Sequence, residues 1–260
     1  MSVIVCSPSL STTILQKAQD LAKKLDLPFG EAQRSSATYL LQLSDSRLDL
    51  RPNPYRPDGH NFSPLFVDFL EGDVAYRHAR NCTIKQPLAR AVGIKGGFRP
   101  TLFDATAGLG KDSFVLACLG CTVSMHERSP IVAALLADGL ARALADTRTA
   151  AAVGNRLRLI QGDARLHLQL ELAPPYTVYL DPMYPHTGKS ALNKKEMRMI
   201  RDIVGDDTDG ADLLTIALRY AGTRVVVKRP KGAQFLGDRA PTHQITMKNS
   251  RFDVYLTHHL

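Results

Sequence analysis

From Thr101 onward, short apolar runs alternate with stretches whose apolar positions recur every three or four residues. That alternation predicts βαβ units on a mostly parallel sheet. Strands are expected at 101–106, 121–127, 157–162, 176–180 and 224–228, followed by an antiparallel pair at 244–248 and 251–258. Helices are expected at 111–119, 130–145, 194–203 and 211–221. Pro130 suits a first helical turn, where its missing N–H would have no intrahelical partner.

The first hundred residues carry a different pattern, with a short strand at 3–6, a helix at 11–25 and a hairpin built from 39–43 and 47–50. This predicts a small α+β appendage. The Pro-rich stretch at 51–57 reads as a turn or loop, and the boundary is placed after it, giving an appendage at 1–85 and a larger α/β domain at 86–260. No internal repeat is visible, and the only biased tract is the Ala-rich helix region at 133–152.

A chain of 260 residues with 44% hydrophobic content is long enough for one large α/β domain plus such an appendage. No apolar run approaches the roughly 18 residues of a membrane span, and Met1–Cys6 has neither the basic start nor the long apolar stretch of a signal peptide. A cytoplasmic location is expected. Cys6, Cys82, Cys118 and Cys121 are too scattered for a disulfide framework. Cys118 and Cys121 have CxxC spacing, but no second pair completes a tetrahedral metal site, so no metal is expected and both read as small core residues. The net charge of +8 and isoelectric point near 9.4 favour a polyanionic partner such as RNA or DNA.

Within the larger domain, the segment Phe103 to Asp112 runs from a strand through Gly108-Leu109-Gly110 into a helix. Glycines there let the backbone approach a ligand and adopt angles that other residues avoid, although an ordinary βα turn has the same composition. Glu127 closes the next strand, 23 residues after Asp104, where a carboxylate can accept from ribose hydroxyls. A Walker phosphate loop would need Gly at 105 and Ser or Thr at 112, where Ala105 and Asp112 stand; a dinucleotide fingerprint would want Gly or Ala at Ser113. Asp112 also opposes a pyrophosphate. S-adenosylmethionine escapes these objections, because it carries a ribose, an ammonium and a sulfonium but no phosphate. Asp163 adds a further carboxylate after the third strand, facing an adenine amino group or serving as a helix N-cap. Asp104, Glu127, Asp163 and Asp181 all fall at the carboxyl ends of predicted strands, where open α/β sheets bind ligands.

Asp181-Pro182-Met183-Tyr184 closes the fourth of these strands. A carboxylate and a proline carbonyl can accept both N–H donors of an exocyclic amine, and a Tyr ring offers a face for stacking a base. A strand-end Asp-Pro also suits a plain turn. With the glycine loop, His126-Glu127-Arg128 and the Asp-Pro-Met-Tyr segment together, the chain resembles class I S-adenosylmethionine-dependent methyltransferases, and within them the bacterial ribosomal RNA small subunit methyltransferase J family. The resemblance covers roughly 100–260 and departs from the commoner amine-methylating motif at Met183, where Pro is frequent.

It implies a Rossmann-like fold, with helices on both faces of a mostly parallel seven-stranded sheet, and methylation of the N2 of a guanosine in 16S rRNA, on free rRNA or the small subunit. By the same resemblance, Lys111, Asp112, Glu127, Arg128, Asp163, Ala164 and Asp181 would line the cofactor site, beside Asp104, Gly108 and Gly110 of the loop. Asp181 and the Pro182 carbonyl would hold the amine and Tyr184 the base. Lys189, Lys194, Lys195, Arg198 and Arg201 form a basic run, and Lys228, Arg229 and Lys231 follow the fifth strand. Lys189, Lys194, Lys195, Lys228, Arg229 and Lys231 are the candidate RNA phosphate contacts, with a solvated helix face as the plainer account. Other readings of the same residues are methylation of another amine or amide (adenine N6, protein glutamine or a small molecule) and RNA binding without catalysis.

Overall fold

The computed structural model describes residues 2–56, 63–71, 83–183, 194–205 and 208–257, without the side chains of 194–197. Cys82, Tyr184 and Lys189 of the sequence reading lie outside the described residues; Lys194 and Lys195 are described only as helical backbone. The chain divides into one compact unit of Met1–Val67, Pro130–Gly139 and Thr187–Gly205, and a second of Asp68–Ser129, Leu140–His186 and Asp206–Leu260.

In the first unit, β1 (Val3–Cys6) pairs parallel with β2 (Tyr39–Leu43), which pairs antiparallel with β3 (Leu48–Pro52). The expected hairpin is present, closed where the Ser44 N–H and hydroxyl both donate to the Arg47 carbonyl at 3.0 Å. Helix α1 (Thr12–Leu25) ends on Asp26 in the left-handed region, with Lys23 and Lys24 in its last turn, where cations complement the helix dipole. Asp49 is buried in β3, and its charge is met by a two-pronged Arg51 guanidinium at 2.6 Å on each oxygen.

The second unit is a seven-stranded sheet. Its strands are β4 (Thr101–Asp104), β5 (Thr122–Glu127), β6 (Leu157–Gln161), β7 (Thr177–Leu180), β8 (Arg224–Pro230), β9 (His243–Thr246) and β10 (Ser250–Leu256), in the order β6-β5-β4-β7-β8-β10-β9. All pairs are parallel except those of β10 with β8 and β9. This is the mostly parallel sheet the alternation predicts, in the Rossmann-like seven-stranded form the resemblance implies. Its central strands read as unbroken apolar runs because both faces are covered. Phe103, Val178, Leu180, Val225 and Val227 pack under α6 (Ala164–Gln169) and α8 (Gly210–Tyr220). The other face meets α2 (Pro87–Val92), whose Val92 carbonyl accepts from the Thr177 hydroxyl at 2.9 Å, and α3 (Lys111–Cys118). Of the remaining helices, α5 (Ala150–Gly154) belongs to this unit, α7 (Lys194–Val204) to the first, and α4 (Pro130–Ala145) is shared between them.

Helices α2, α5 and α6 are not among the four helices the periodicity predicts in this half of the chain, although Asp163 as an N-cap allows for α6 and the Ala-rich region at 133–152 reaches α5. Each has six residues or fewer, too short for apolar periodicity to register. Strand β4 stops two residues early because Ala105 begins the glycine loop, and β8 continues to Pro230 because it pairs with β10. Cys6, Cys118 and Cys121 are free thiols. Among the described residues no helix is long and apolar enough to cross a membrane.

Candidate active site

Strands β4 and β7 are neighbours, yet the chain leaves β4 toward β5 and β6 and returns at β7 to build the other half of the sheet. Such a reversal opens a crevice beyond the carboxyl ends of the two strands. The glycine loop lines it. Ala105 N–H donates to the Tyr179 carbonyl (2.9 Å), Ala107 N–H to the His126 carbonyl (3.0 Å) and Gly110 N–H to the Ala107 carbonyl (2.8 Å). Gly108 and Gly110 sit at φ +53° and +72°, in the left-handed region where a side chain would be strained. Asp104 supports the loop from below. Only 2% exposed, it accepts from Thr106 N–H (3.1 Å) and the Ser113 hydroxyl (2.5 Å). Burial pushes its carboxyl up to about 7, against those two hydrogen bonds, which favour the ionised form. The sequence reading places Asp104 among the ligand contacts; the structure turns it inward.

Glu127, 8% exposed at the end of β5, accepts from Gly108 N–H through Oε2 (2.9 Å) and from Ser129 N–H through Oε1 (2.8 Å). A carboxylate offers about four acceptor positions, so these two bonds fix its orientation without exhausting it. Beside Glu127, His126 stacks on Phe103 with ring centroids 3.8 Å apart and meets the His167 ring of α6, Nδ1 to Nδ1, at 2.9 Å. Burial, with His167 adding to it, pulls the His126 imidazole down to about 3. It is neutral at ordinary pH.

Asp163 is the N-cap of α6, accepting from Arg165 N–H (2.8 Å), and the Arg165 side chain grips the same carboxylate at 2.6 Å. Hydrogen bonding from Arg165 holds the Asp163 carboxyl below the usual carboxylate range. Ala164 is buried in the first turn of α6. Arg165 also pairs with Asp209 at 3.2 Å, and Asp209 accepts from Arg128 Nη1 at 3.0 and 3.1 Å. A chain of alternating charge thus ties the end of β5 to α6 and to the cap of α8.

The Asp181 carboxylate keeps 40% of its surface, and its backbone N–H donates to the Thr106 hydroxyl at 2.6 Å. Because β7 and β8 run parallel with Leu180 opposite Val227, Asp181 stands level with Lys228. Lys228 Nζ bridges two carboxylates, Asp181 Oδ2 at 2.8 Å and Asp112 Oδ2 at 2.7 Å, and the Tyr179 hydroxyl donates to the same Asp112 oxygen at 2.7 Å. Burial pulls Lys228 down, but Asp112 and Asp181 outweigh it and hold the ammonium above the ordinary lysine range. Burial pushes the Asp181 carboxyl up, Lys228 opposes that, and Asp112 adds to it. Asp112 lies in the first turn of α3, where negative charge suits the helix dipole. Pro182 is buried, and no group among the described residues donates to its carbonyl.

The structure therefore gathers Asp112, Glu127, Asp181 and the Gly108–Gly110 loop at one sheet edge, with Lys111 exposed beside them. It moves two predicted phosphate contacts. Lys228 faces the carboxylates, and Arg229 is 5% exposed with its guanidinium on the Gln234 carbonyl at 2.9 Å, so neither is a free surface cation. Lys231 is exposed. Tyr179, Thr106, Ser129 and Asp209 are site residues that sequence reasoning missed. One signal was available for Lys228: a lysine continuing Val225-Val226-Val227 in a parallel sheet needs a carboxylate partner.

A family model described as "Putative SAM-dependent methyltransferase" matches residues 20–257. The chain is 51% identical over 251 residues to "Ribosomal RNA small subunit methyltransferase J" of Desulfotalea psychrophila, covering 96% of this chain and 95% of that one. A protein of the same name from Thioalkalivibrio sulfidiphilus is 50% identical over 249 residues, covering 95% of each. The crystal structure of a SAM-dependent methyltransferase from Neisseria gonorrhoeae, 34% identical, covers 98% of this chain and 96% of that one with a TM-score of 0.75.

Proposed function

The chain belongs to this family of S-adenosylmethionine-dependent methyltransferases, and from that premise we propose that it methylates the exocyclic N2 of a guanosine in 16S rRNA of the small ribosomal subunit. The RNA substrate is supported by the relatives' name and the +8 charge. The single observation that carries the chemistry is the Asp181-Pro182 acceptor pair beside the glycine loop, with its carboxylate held by Lys228. We assign catalysis to the 86–260 domain and place the enzyme in the cytoplasm.

The residues fit the cofactor. Glu127, anchored by Gly108 and Ser129 at the end of β5, places carboxylate oxygens where a ribose diol can donate to them, and Asp112 and Asp181 suit a ligand that carries a sulfonium and an ammonium beside its own carboxylate. When bound, the cofactor supplies an electrophilic methyl group on a sulfonium. The protein's part is to make a poor nucleophile react, since the lone pair of a guanine amine is delocalised into the ring. Asp181 and the Pro182 carbonyl accept the two N–H groups and so favour the nitrogen as it becomes tetrahedral and positive. Asp181 is also the group placed to take the proton the nitrogen gives up. Tyr184, four residues after Leu180, is assigned the stacking face for the base, and Lys189, Lys194, Lys195 and Lys231 the phosphates.

Lys228 acts through Asp181. In Lys228→Met, Asp181 loses the cation that holds its carboxyl down, so the acidic limb of the pH–rate profile should move to higher pH. Unfolding free energy should fall by about 1–3 kcal/mol, the range for stranding buried polar partners. A profile superimposable on that of the parent would show that Lys228 does not set the ionisation of Asp181.

The proposal as a whole is tested by incubating the protein and labelled cofactor with small-subunit RNA and subunits lacking the modification, then mapping the label. Label on a guanosine N2 is expected. Label on adenine N6 or on protein, or none, refutes it.

A further inference from the structure

Beyond Lys228, the same sheet edge carries a second concavity. The end of β8, the 3-10 turn Leu236–Asp238 and the β9–β10 pair border an open surface cavity of about 540 Å³. Lys231 stands in the turn directly after β8, three residues on from Lys228. Phe235 lines this cavity and leaves 36% of its surface in solvent, although its neighbours Lys231 and Gln234 are polar. Part of the ring is thereby presented to whatever occupies the concavity.

The surrounding polar groups are rigidly built. Arg251 is buried, with its guanidinium 5.3 Å from the Phe235 ring centroid, and is fixed by Asp253 at 2.8 and 3.0 Å and by the Pro230 and Lys231 carbonyls at 3.1 and 2.7 Å. Asp253 is fully buried and also accepts from Gln244 Nε2 at 2.7 Å. Because a carboxylate only accepts, that bond fixes which way the Gln244 amide is turned. Gln244 lines the cavity, so its amide oxygen is the acceptor it can offer a ligand there. The charge of Arg251 is spent on Asp253, so the rim is set by Lys231 against Asp238, with exposed Arg239 and Lys248 following in sequence. Lys231 is the exposed cation of the lining.

A partly open aromatic ring, an amide acceptor for an N–H on a base edge and an exposed lysine match a nucleotide. Resting on the rRNA methyltransferase reading, we propose that this cavity is a subsite for an unstacked nucleotide flanking the target, with its base on Phe235, a base N–H on Gln244 and its phosphate at Lys231. The subsite holds RNA in register and takes no part in the transfer step.

The test compares Phe235→Ala and Phe235→Tyr with the parent, using an unmodified small-subunit rRNA transcript. Losing one base–aromatic stack should raise KM for RNA about tenfold in the alanine protein. The kcat should stay within about twofold, cofactor affinity by calorimetry should be unchanged, and tyrosine should restore KM. Since no charge is removed, the salt dependence of binding should also be unchanged. An alanine protein whose KM stays within twofold of the parent overturns the subsite. Should the parent methylate neither rRNA nor small subunits lacking the modification, the methyltransferase reading fails separately. Anisotropy of a short fluorescein-labelled single-stranded RNA then decides the subsite alone: tenfold weaker binding by Phe235→Ala upholds it, and equal binding refutes it.

Discussion

Replacing Asp181 with alanine is expected to lower the methyl-transfer rate by about 100- to 1,000-fold, the usual loss when one group aimed at charge developing in a transition state is removed. Cofactor affinity should stay within a few-fold, because the glycine loop and Glu127 hold their own bonds without it. The fold should survive. Lys228 keeps Asp112 as a partner at 2.7 Å, and the side chain lost is 40% exposed, so no lone buried charge is created. Asp181→Asn separates two contributions: an amide oxygen still accepts one N–H, but an amide cannot take up a proton. If accepting the hydrogen bond dominates, asparagine should recover much of the rate; if proton removal dominates, it should resemble alanine. Single-turnover kinetics with excess enzyme reads the chemical step directly. An Asp181→Ala protein that methylates RNA at the parent rate would refute the role given to this carboxylate.

The different legibility of the two halves of this site has a physical cause. Chain-local features could be read from sequence: the Gly108–Gly110 turn, Glu127 at a strand end and the apolar runs that become β7 and β8 each depend on neighbours in the chain. The destination of Lys228 could not, because it depends on the register of β7 against β8, which sets residues 47 positions apart level with one another. The same holds for Asp209, which joins Arg128 across 81 positions. Arg229 shows the converse error. A basic tripeptide near a strand end suggests a phosphate patch, yet alternation along β8 turns successive side chains to opposite faces and buries this one on the Gln234 carbonyl. Asp163 had two readings in sequence, adenine contact and helix cap. The cap is realised, and Arg165 occupies the carboxylate as well.

Glu127→Ala should separate cofactor binding from chemistry in the opposite sense to Asp181→Ala. The substitution removes a carboxylate acceptor for ribose hydroxyls, where a hydrogen bond to a charged group contributes about 1.5–3 kcal/mol. It also strands the Gly108 and Ser129 N–H groups that the two oxygens now accept at 2.9 and 2.8 Å. Each buried donor left unpaired costs roughly 1–3 kcal/mol, so the apo protein should lose stability as well as affinity. Cofactor affinity should fall about 100-fold, equivalent to about 2.7 kcal/mol. Glu127→Gln should recover little, since its amide nitrogen would face one of the two N–H groups it is meant to accept. The rate at saturating cofactor should lie far closer to that of the parent than Asp181→Ala does, because Asp181, Lys228 and Asp112 are untouched. Calorimetric titration with cofactor and rate measurements across cofactor concentrations decide this together. A Glu127→Ala protein that bound cofactor normally would show that the carboxylate serves only to brace the loop.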